Sequence, residues 1–184
     1  MNVDPELIFH WIRSHYFGKY RGTVSDNSDP TSRGRLKVKI PSVLKDQEVW
    51  AMPCVPYAGS QVGFFTLPDT GTGVWVEFEA GDPSFPVWTG FFWGDNDLPS
   101  EATGASTKVW KTGGVTITID DDAGDITIEN SSESKITVSN DIELLVDPGK
   151  VTIAADSVKS ECGSGTVEVS STGVNVNDGA LQVV

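Results

Sequence analysis

The sequence predicts an all-β protein in two parts, a small closed barrel followed by a long stack of short strands. Two observations carry that prediction. From Val115 onward, alternating apolar segments recur every seven to eleven residues, leaving room for one short strand and one tight turn each time. All eight phenylalanines, all three tyrosines and five of the six tryptophans lie before Gly94, so the side chains able to fill a globular core sit in the first half alone. Four stretches follow: residues 1–17, a short helix; 18–94, the barrel; 95–108, a polar linker; and 109–184, the strand repeats.

The helix is predicted over residues 4–16. Asp4 is a suitable N-cap, Pro5 suits the first helical position, and Leu7, Ile8, Trp11 and Ile12 share one face before Gly18 ends the run. A tryptophan on so short a helix implies packing against something larger, either the barrel or a partner subunit.

In the barrel, Arg33, Arg35, Lys37 and Lys39 alternate with Gly34, Leu36, Val38 and Ile40, the pattern of a strand with one basic and one apolar face. Residues 49–55, 74–80 and 86–92 are further strands. Asp29-Pro30, Pro41, Pro53, Pro56, Pro68-Asp69 and Gly81-Asp82-Pro83 punctuate them. About five strands in roughly 75 residues without a convincing helix suggest a five-stranded barrel of the OB type, with a sandwich as the competing architecture. Residues 95–108 are small and polar, as linkers are.

The repeats read VTITI, DITIE, KITVS, IELLV, KVTIA, SVKSE, TVEVS, GVNVN and ALQVV, with no phenylalanine or tyrosine among them. One such chain can hardly bury itself. Three chains wound together would turn the alternating apolar positions inward along a shared axis and let strands bond to neighbouring chains. The core positions of that three-sided prism are Ile117, Ile119, Ile126, Ile128, Ile136, Val138, Leu144, Val146, Val151, Ile153, Val167, Val169, Val174 and Val176. At roughly 4.7 Å per strand such a needle is on the order of 40 Å long.

Composition narrows function. The chain has 13 Lys and Arg against 26 Asp and Glu, and this acidity argues against general binding to nucleic acid or anionic membrane. No eighteen-residue apolar stretch and no basic-then-apolar leader is present, which predicts a soluble protein made in the cytoplasm without a cleaved leader. Cys54 and Cys162 lack metal spacing and read as reduced thiols. No nucleophile has a recognisable base near it, and Glu101 lacks the second carboxylate that glycoside hydrolysis needs. Asp120, Asp121, Asp122 and Asp125 suggest calcium at first sight, but Asp122-Ala123-Gly124-Asp125 more simply makes a turn. No catalytic residue, metal or cofactor is therefore expected. The basic strand reads first as a solvated face and second as a docking surface. Trp50, Trp75, Trp88 and Trp93 read as packing residues rather than a sugar platform.

Gly22-Thr23-Val24 with Asp29-Pro30, Gly34-Arg35-Leu36-Lys37-Val38, Trp50-Ala51, Pro56-Tyr57-Ala58-Gly59, Gly63-Phe64-Phe65, Gly73-Val74-Trp75-Val76-Glu77-Phe78, Gly81-Asp82-Pro83 and Thr89-Gly90 occur in an order that resembles the central spikes of contractile injection machines, phage baseplate assembly protein V and VgrG. The resemblance covers residues 18–184 and implies an OB-fold barrel followed by a trimeric, intertwined β-helical needle. It implies a non-enzymatic homotrimer in a virion baseplate or injection particle. The spike would be held by a hub trimer through Leu7, Ile8, Trp11, Ile12 and the basic strand, and driven through a target envelope by sheath contraction. Fourteen linker residues leave no space for the lysozyme domain some members carry. Some family needles end in a histidine-rich, iron-binding apex; residues 178–184 contain no histidine, so Leu181, Val183 and Val184 are expected to dock a separate PAAR-repeat tip protein. A single-stranded nucleic-acid binder and a trimeric receptor-binding fibre are the alternatives.

Overall fold

The computed structural model describes residues 5–183 and divides the chain into two compact units, Met1–Asp97 and Leu98–Val184. Asp4 and Val184 lie outside the described residues.

The first unit opens with helix α1, Pro5–Ser14. Its end is set by side chains: Ser14 Oγ and His15 Nδ1 both donate to the Trp11 carbonyl, at 3.1 and 2.8 Å, capturing an acceptor the helix leaves free. Tyr16 N then donates to Gly81 O at 2.7 Å, and Tyr16, Tyr20 and Phe78 pack together, tying the segment to the barrel.

Five strands form a closed barrel: β1 (Tyr20–Asp26), β2 (Leu36–Lys39), β3 (Glu48–Pro53), β6 (Gly73–Phe78) and β7 (Pro86–Phe92), in the order β1-β2-β3-β7-β6 and back to β1. Between β3 and β6 a small hairpin, β4 (Ala58–Gly59) and β5 (Val62–Gly63), stands apart. All barrel pairs are antiparallel except β3 with β7, the parallel contact that closes it. Pro53 is thus the last residue of a strand, paired with Trp88, where a missing amide costs no interior ladder bond. Bulges at Val24/Asp26 and Trp75/Val76 supply the extra twist that closure needs.

Alternation puts Val24, Leu36, Val38, Ile40, Ala51, Val74, Val76, Phe78 and Trp88 inside. Gly22 is required where β1 crosses β2, because a Cβ there would sit 2.8 Å from the Lys39 carbonyl oxygen. A short turn of helix, α2 (Pro41–Leu44), follows β2, a feature the strand-only reading missed.

The expected strand over residues 33–40 is shorter than its alternation suggests. Asp29 accepts from the backbone amides of Thr31, Arg33 and Arg35, and Ser32 and Gly34 take positive φ, so the chain turns until Leu36. The Asp29 carboxylate overrides the period-two pattern there.

The second unit is one ten-stranded antiparallel sheet in strict chain order. Its strands are β8 (Thr107–Lys111), β9 (Val115–Asp120), β10 (Asp125–Asn130), β11 (Lys135–Val138), β12 (Ile142–Val146), β13 (Gly149–Ile153), β14 (Ser157–Cys162), β15 (Gly165–Ser170), β16 (Gly173–Val176) and β17 (Leu181–Val183). Strand β8 begins two residues inside the stretch read as linker, where Lys108-Val109-Trp110-Lys111 hides its alternation. Hydrogen bonds that the sequence reading assigned to other chains are made within this one, each strand from β9 to β16 pairing with its predecessor and successor. Tight turns make this possible: Asp120 Oδ1 accepts from Asp122 N and Ala123 N, and Gly124 takes φ +74° to return the chain to β10.

Candidate assembly surface

The register of the sheet sorts its side chains by face. Cross-strand partners share a face, so the pairings trace columns running across all ten strands. One column is Lys108, Ile119, Ile126, Val138, Ile142, Ile153, Val158, Val169, Val174 and Val183, apolar from Ile119 onward. The column beside it is Trp110, Ile117, Ile128, Ile136, Leu144, Val151, Ser160, Val167, Val176 and Leu181. Val115, Val146 and Cys162 begin a third, less apolar one on the same face. The opposite face carries Thr118, Thr127, Thr137, Glu143, Thr152, Lys159, Glu168 and Asn175.

All fourteen residues named from the sequence as needle core lie on the apolar face. Trp110, Ile142 and Val158 belong with them and were left out, Val158 because its SVKSE segment alternates with serine. Leu181 and Val183, assigned to tip docking, occupy the ends of the two long columns.

Nothing among the described residues of the second unit covers this face. Among the described residues of the second unit none is buried; Ile126 and Ile136 are 40% and 41% exposed, Val146 64%. A groove of about 420 Å³ runs along it past Val115, Ile128, Ile136, Leu144 and Val146. A sheet with one apolar face and no second layer is half of a packed structure. The polar face is finished by itself: Lys150 lies 3.2 Å from Glu143 and 3.7 Å from Glu161, and Lys159 2.9 Å from Glu161. Lys159, and less strongly Lys150, hold the Glu161 carboxyl below its ordinary range, and Glu161 raises the Lys159 ammonium in return.

The basic strand of the barrel is mostly committed internally. Arg35 Nε and Nη2 donate to Asp29 Oδ1 at 3.0 and 2.7 Å, and the guanidinium lies 5.3 Å from the Trp50 ring centre. That guanidinium, with the amides around it, holds Asp29 well below the usual carboxylate range. Lys39 and Lys37 both reach Glu48, at 3.1 and 3.4 Å, and lower its carboxyl, Lys39 the more. Arg33 alone of the four is exposed without a carboxylate partner within salt-bridge distance.

The tryptophans separate rather than forming one platform. Trp88 is 4% exposed and donates from Nε1 to Gly34 O at 3.2 Å. Trp75 packs on Phe92 beneath Arg21, and Trp93 is exposed.

Two further apolar surfaces are uncovered in the first unit. Helix α1 exposes Leu7, Ile8, Phe9, Trp11 and Ile12, so its predicted apolar face does not pack into the barrel. Beside the β4–β5 hairpin, Tyr57, Phe64, Phe65, Val62 and Trp88 line a groove of about 530 Å³ that sequence reasoning did not find, because loop residues without periodicity and residues of two separate strands meet there.

Chemistry is sparse. Among the described residues no three His, Cys, Asp or Glu side chains gather as a metal site requires. Asp121 pairs with Lys108, and Glu101 with Lys111 at 2.6 Å, which lowers the Glu101 carboxyl. No helix among the described residues is long and apolar enough to cross a membrane.

None of the curated proteins matches the chain. Two family models do: residues 20–93 match the type VI secretion system/phage-baseplate injector OB domain, and residues 107–182 match the phage baseplate V C-terminal trimerisation domain. The first match spans all five barrel strands, and the second spans the sheet whose apolar face the chain leaves bare. A barrel of this topology joined to a trimerisation sheet places the chain in the family of phage baseplate V and VgrG-type spike proteins.

Proposed function

We propose that this protein is the non-enzymatic central spike of a contractile baseplate, a homotrimer whose three sheets enclose their apolar faces and which pierces a target envelope when the sheath contracts. The observation that carries the reading is the pair of columns crossing ten strands, apolar except at Lys108 and Ser160, with nothing among the described residues of the sheet over them. Three copies close such faces into a prism, whereas two would leave a flat sandwich, and the trimerisation match favours three. Each chain then supplies one wall, and nine spacings of about 4.7 Å give a wall about 42 Å long.

Partners follow from what stays exposed. The α1 face with Leu7, Ile8, Trp11 and Ile12 is the hub-docking surface, with Arg33 the basic residue freest to join it. At the far end of the sheet the outer edge of β17 pairs with no strand among the described residues, and Leu181 and Val183 beside it offer a tip protein an apolar, hydrogen-bonding end. A role in binding nucleic acid is disfavoured because Arg35, Lys37 and Lys39 are already paired.

The test is made on the full chain and on particles. Sedimentation equilibrium should give three times the chain mass. Particles carrying Ile128→Asp should contract without releasing a periplasmic reporter from target cells, while Thr127→Asp, on the polar face, should leave release intact. A monomeric chain, or normal release with Ile128→Asp, would overturn the reading.

A further inference from the structure

Two side chains interrupt the apolar columns on which the trimer reading rests: Lys108, which lies on the end strand β8 and pairs with Asp121, and Ser160, which lies in the interior of the sheet. In the column from Trp110 to Leu181, nine of ten side chains are apolar and the tenth is Ser160, paired across the ladder with Val151 on one side and Val167 on the other. Nothing local demands it. Strand β14 is regular, and its neighbours on the same face are Val158 and Cys162. Once three faces close on each other, a hydroxyl there is removed from water, and a buried hydroxyl without a partner is costly.

We propose that Ser160 is a register-setting polar layer of the trimer: the three copies meet at one level of the shared core and satisfy one another. A hydroxyl both donates and accepts, so three of them close into a donor-to-acceptor ring, directly or around one trapped water.

The rest of the face shows why such a device is needed. Val and Ile repeat strand after strand in both columns, so one chain shifted against its neighbours by two strands would meet nearly the same surface. Featureless apolar seams specify register poorly, and a single buried polar layer corrects this, as in coiled coils. With Ser160 present, a chain slipped by two strands brings its hydroxyl to the level of Leu144 or Val176 and breaks the ring that needs all three hydroxyls. Closure adds a further constraint, because shifts around a three-membered ring must cancel. No trimer can slip equally at all three interfaces, and every slipped trimer loses its threefold symmetry.

That loss is measurable. The full chain, labelled at isoleucine methyl groups, is denatured and refolded, its mass is taken, and methyl resonances are counted. Wild type should be trimeric with one resonance per isoleucine methyl. Ser160→Val should refold to a trimer with additional resonances for Ile142 and Ile153, and Ser160→Thr, which keeps the hydroxyl, should restore a single set. A Ser160→Val trimer with the single wild-type set would overturn the register role while leaving the trimer intact, and so would a Ser160→Thr trimer as heterogeneous as the valine variant. A monomeric wild-type chain would instead overturn the trimer reading itself.

Discussion

At the scale of single residues, the barrel depends on side chains that organise backbone. Asp29 gathers three amides and Arg35, and it is 4% exposed at the side chain. Its folded carboxyl titrates below the unfolded one, so its contribution is complete above about pH 4, the ordinary carboxylate value, and is lost as pH falls through the lower folded value. Barrel stability, followed by amide exchange between pH 7 and pH 2, should therefore lose this contribution only below about pH 4. Asp29→Asn should lower stability at neutral pH and flatten the acid limb. Trp88 fills the core and ties β7 to the turn before β2 through Gly34 O; Trp88→Ala should cost about 3–5 kcal/mol in denaturant unfolding, because the barrel cannot collapse around so large a void. The motif glycine Gly22 acts by absence. Gly22→Ala pushes a methyl into the Lys39 carbonyl and should destabilise β1–β2 pairing, seen as faster exchange of the amides of the Thr23–Lys39 pair.

At the scale of elements, the sheet gains little from its own chain beyond its ladder. An isoleucine still two-fifths exposed has roughly 60 Å² left to cover, worth about 1.5 kcal/mol at about 25 cal/mol per Å². Many such positions act together, so one charge in the middle of the face should be felt by the whole assembly. Ile136→Asp should convert the trimer to monomer by light scattering, and Thr137→Asp, its neighbour on the other face, should leave the mass unchanged. The strand repeats were legible in the sequence because period two survives wherever one face is apolar; the repeat segments from VTITI to ALQVV each contain one strand. What was not legible was the source of their hydrogen bonds, since alternation fixes a face and says nothing about which chain supplies the neighbour. Strand β8 was missed because lysines flank its one large apolar residue. The barrel was readable from the order of its motifs along the chain, though not its strand order, and residues 33–35 were not, because a carboxylate rather than a periodicity decides their path. The aromatic groove beside β4 and β5 was not legible as a groove, being assembled from loop residues and two strands that no periodicity brings together.

At the scale of the whole molecule, a trimer of such sheets comes apart only if many contacts break together, so dissociation should be slow even where equilibrium stability is ordinary. The expected outcome is a trimer band that persists in sodium dodecyl sulfate without heating and collapses to monomer on boiling; an unheated monomer band would contradict it. The sheet's strict chain order reaches further. Because every strand pairs only with its sequence neighbours, a hairpin can be removed or added without changing any other pairing, and the apolar columns stay in phase when strands leave two at a time. Each such pair changes the wall by about 9.5 Å. Needle length is therefore a quantity this architecture can count out in hairpins, and on the proposed piercing role a spike is matched to the thickness of its barrier by duplication or loss of about sixteen residues.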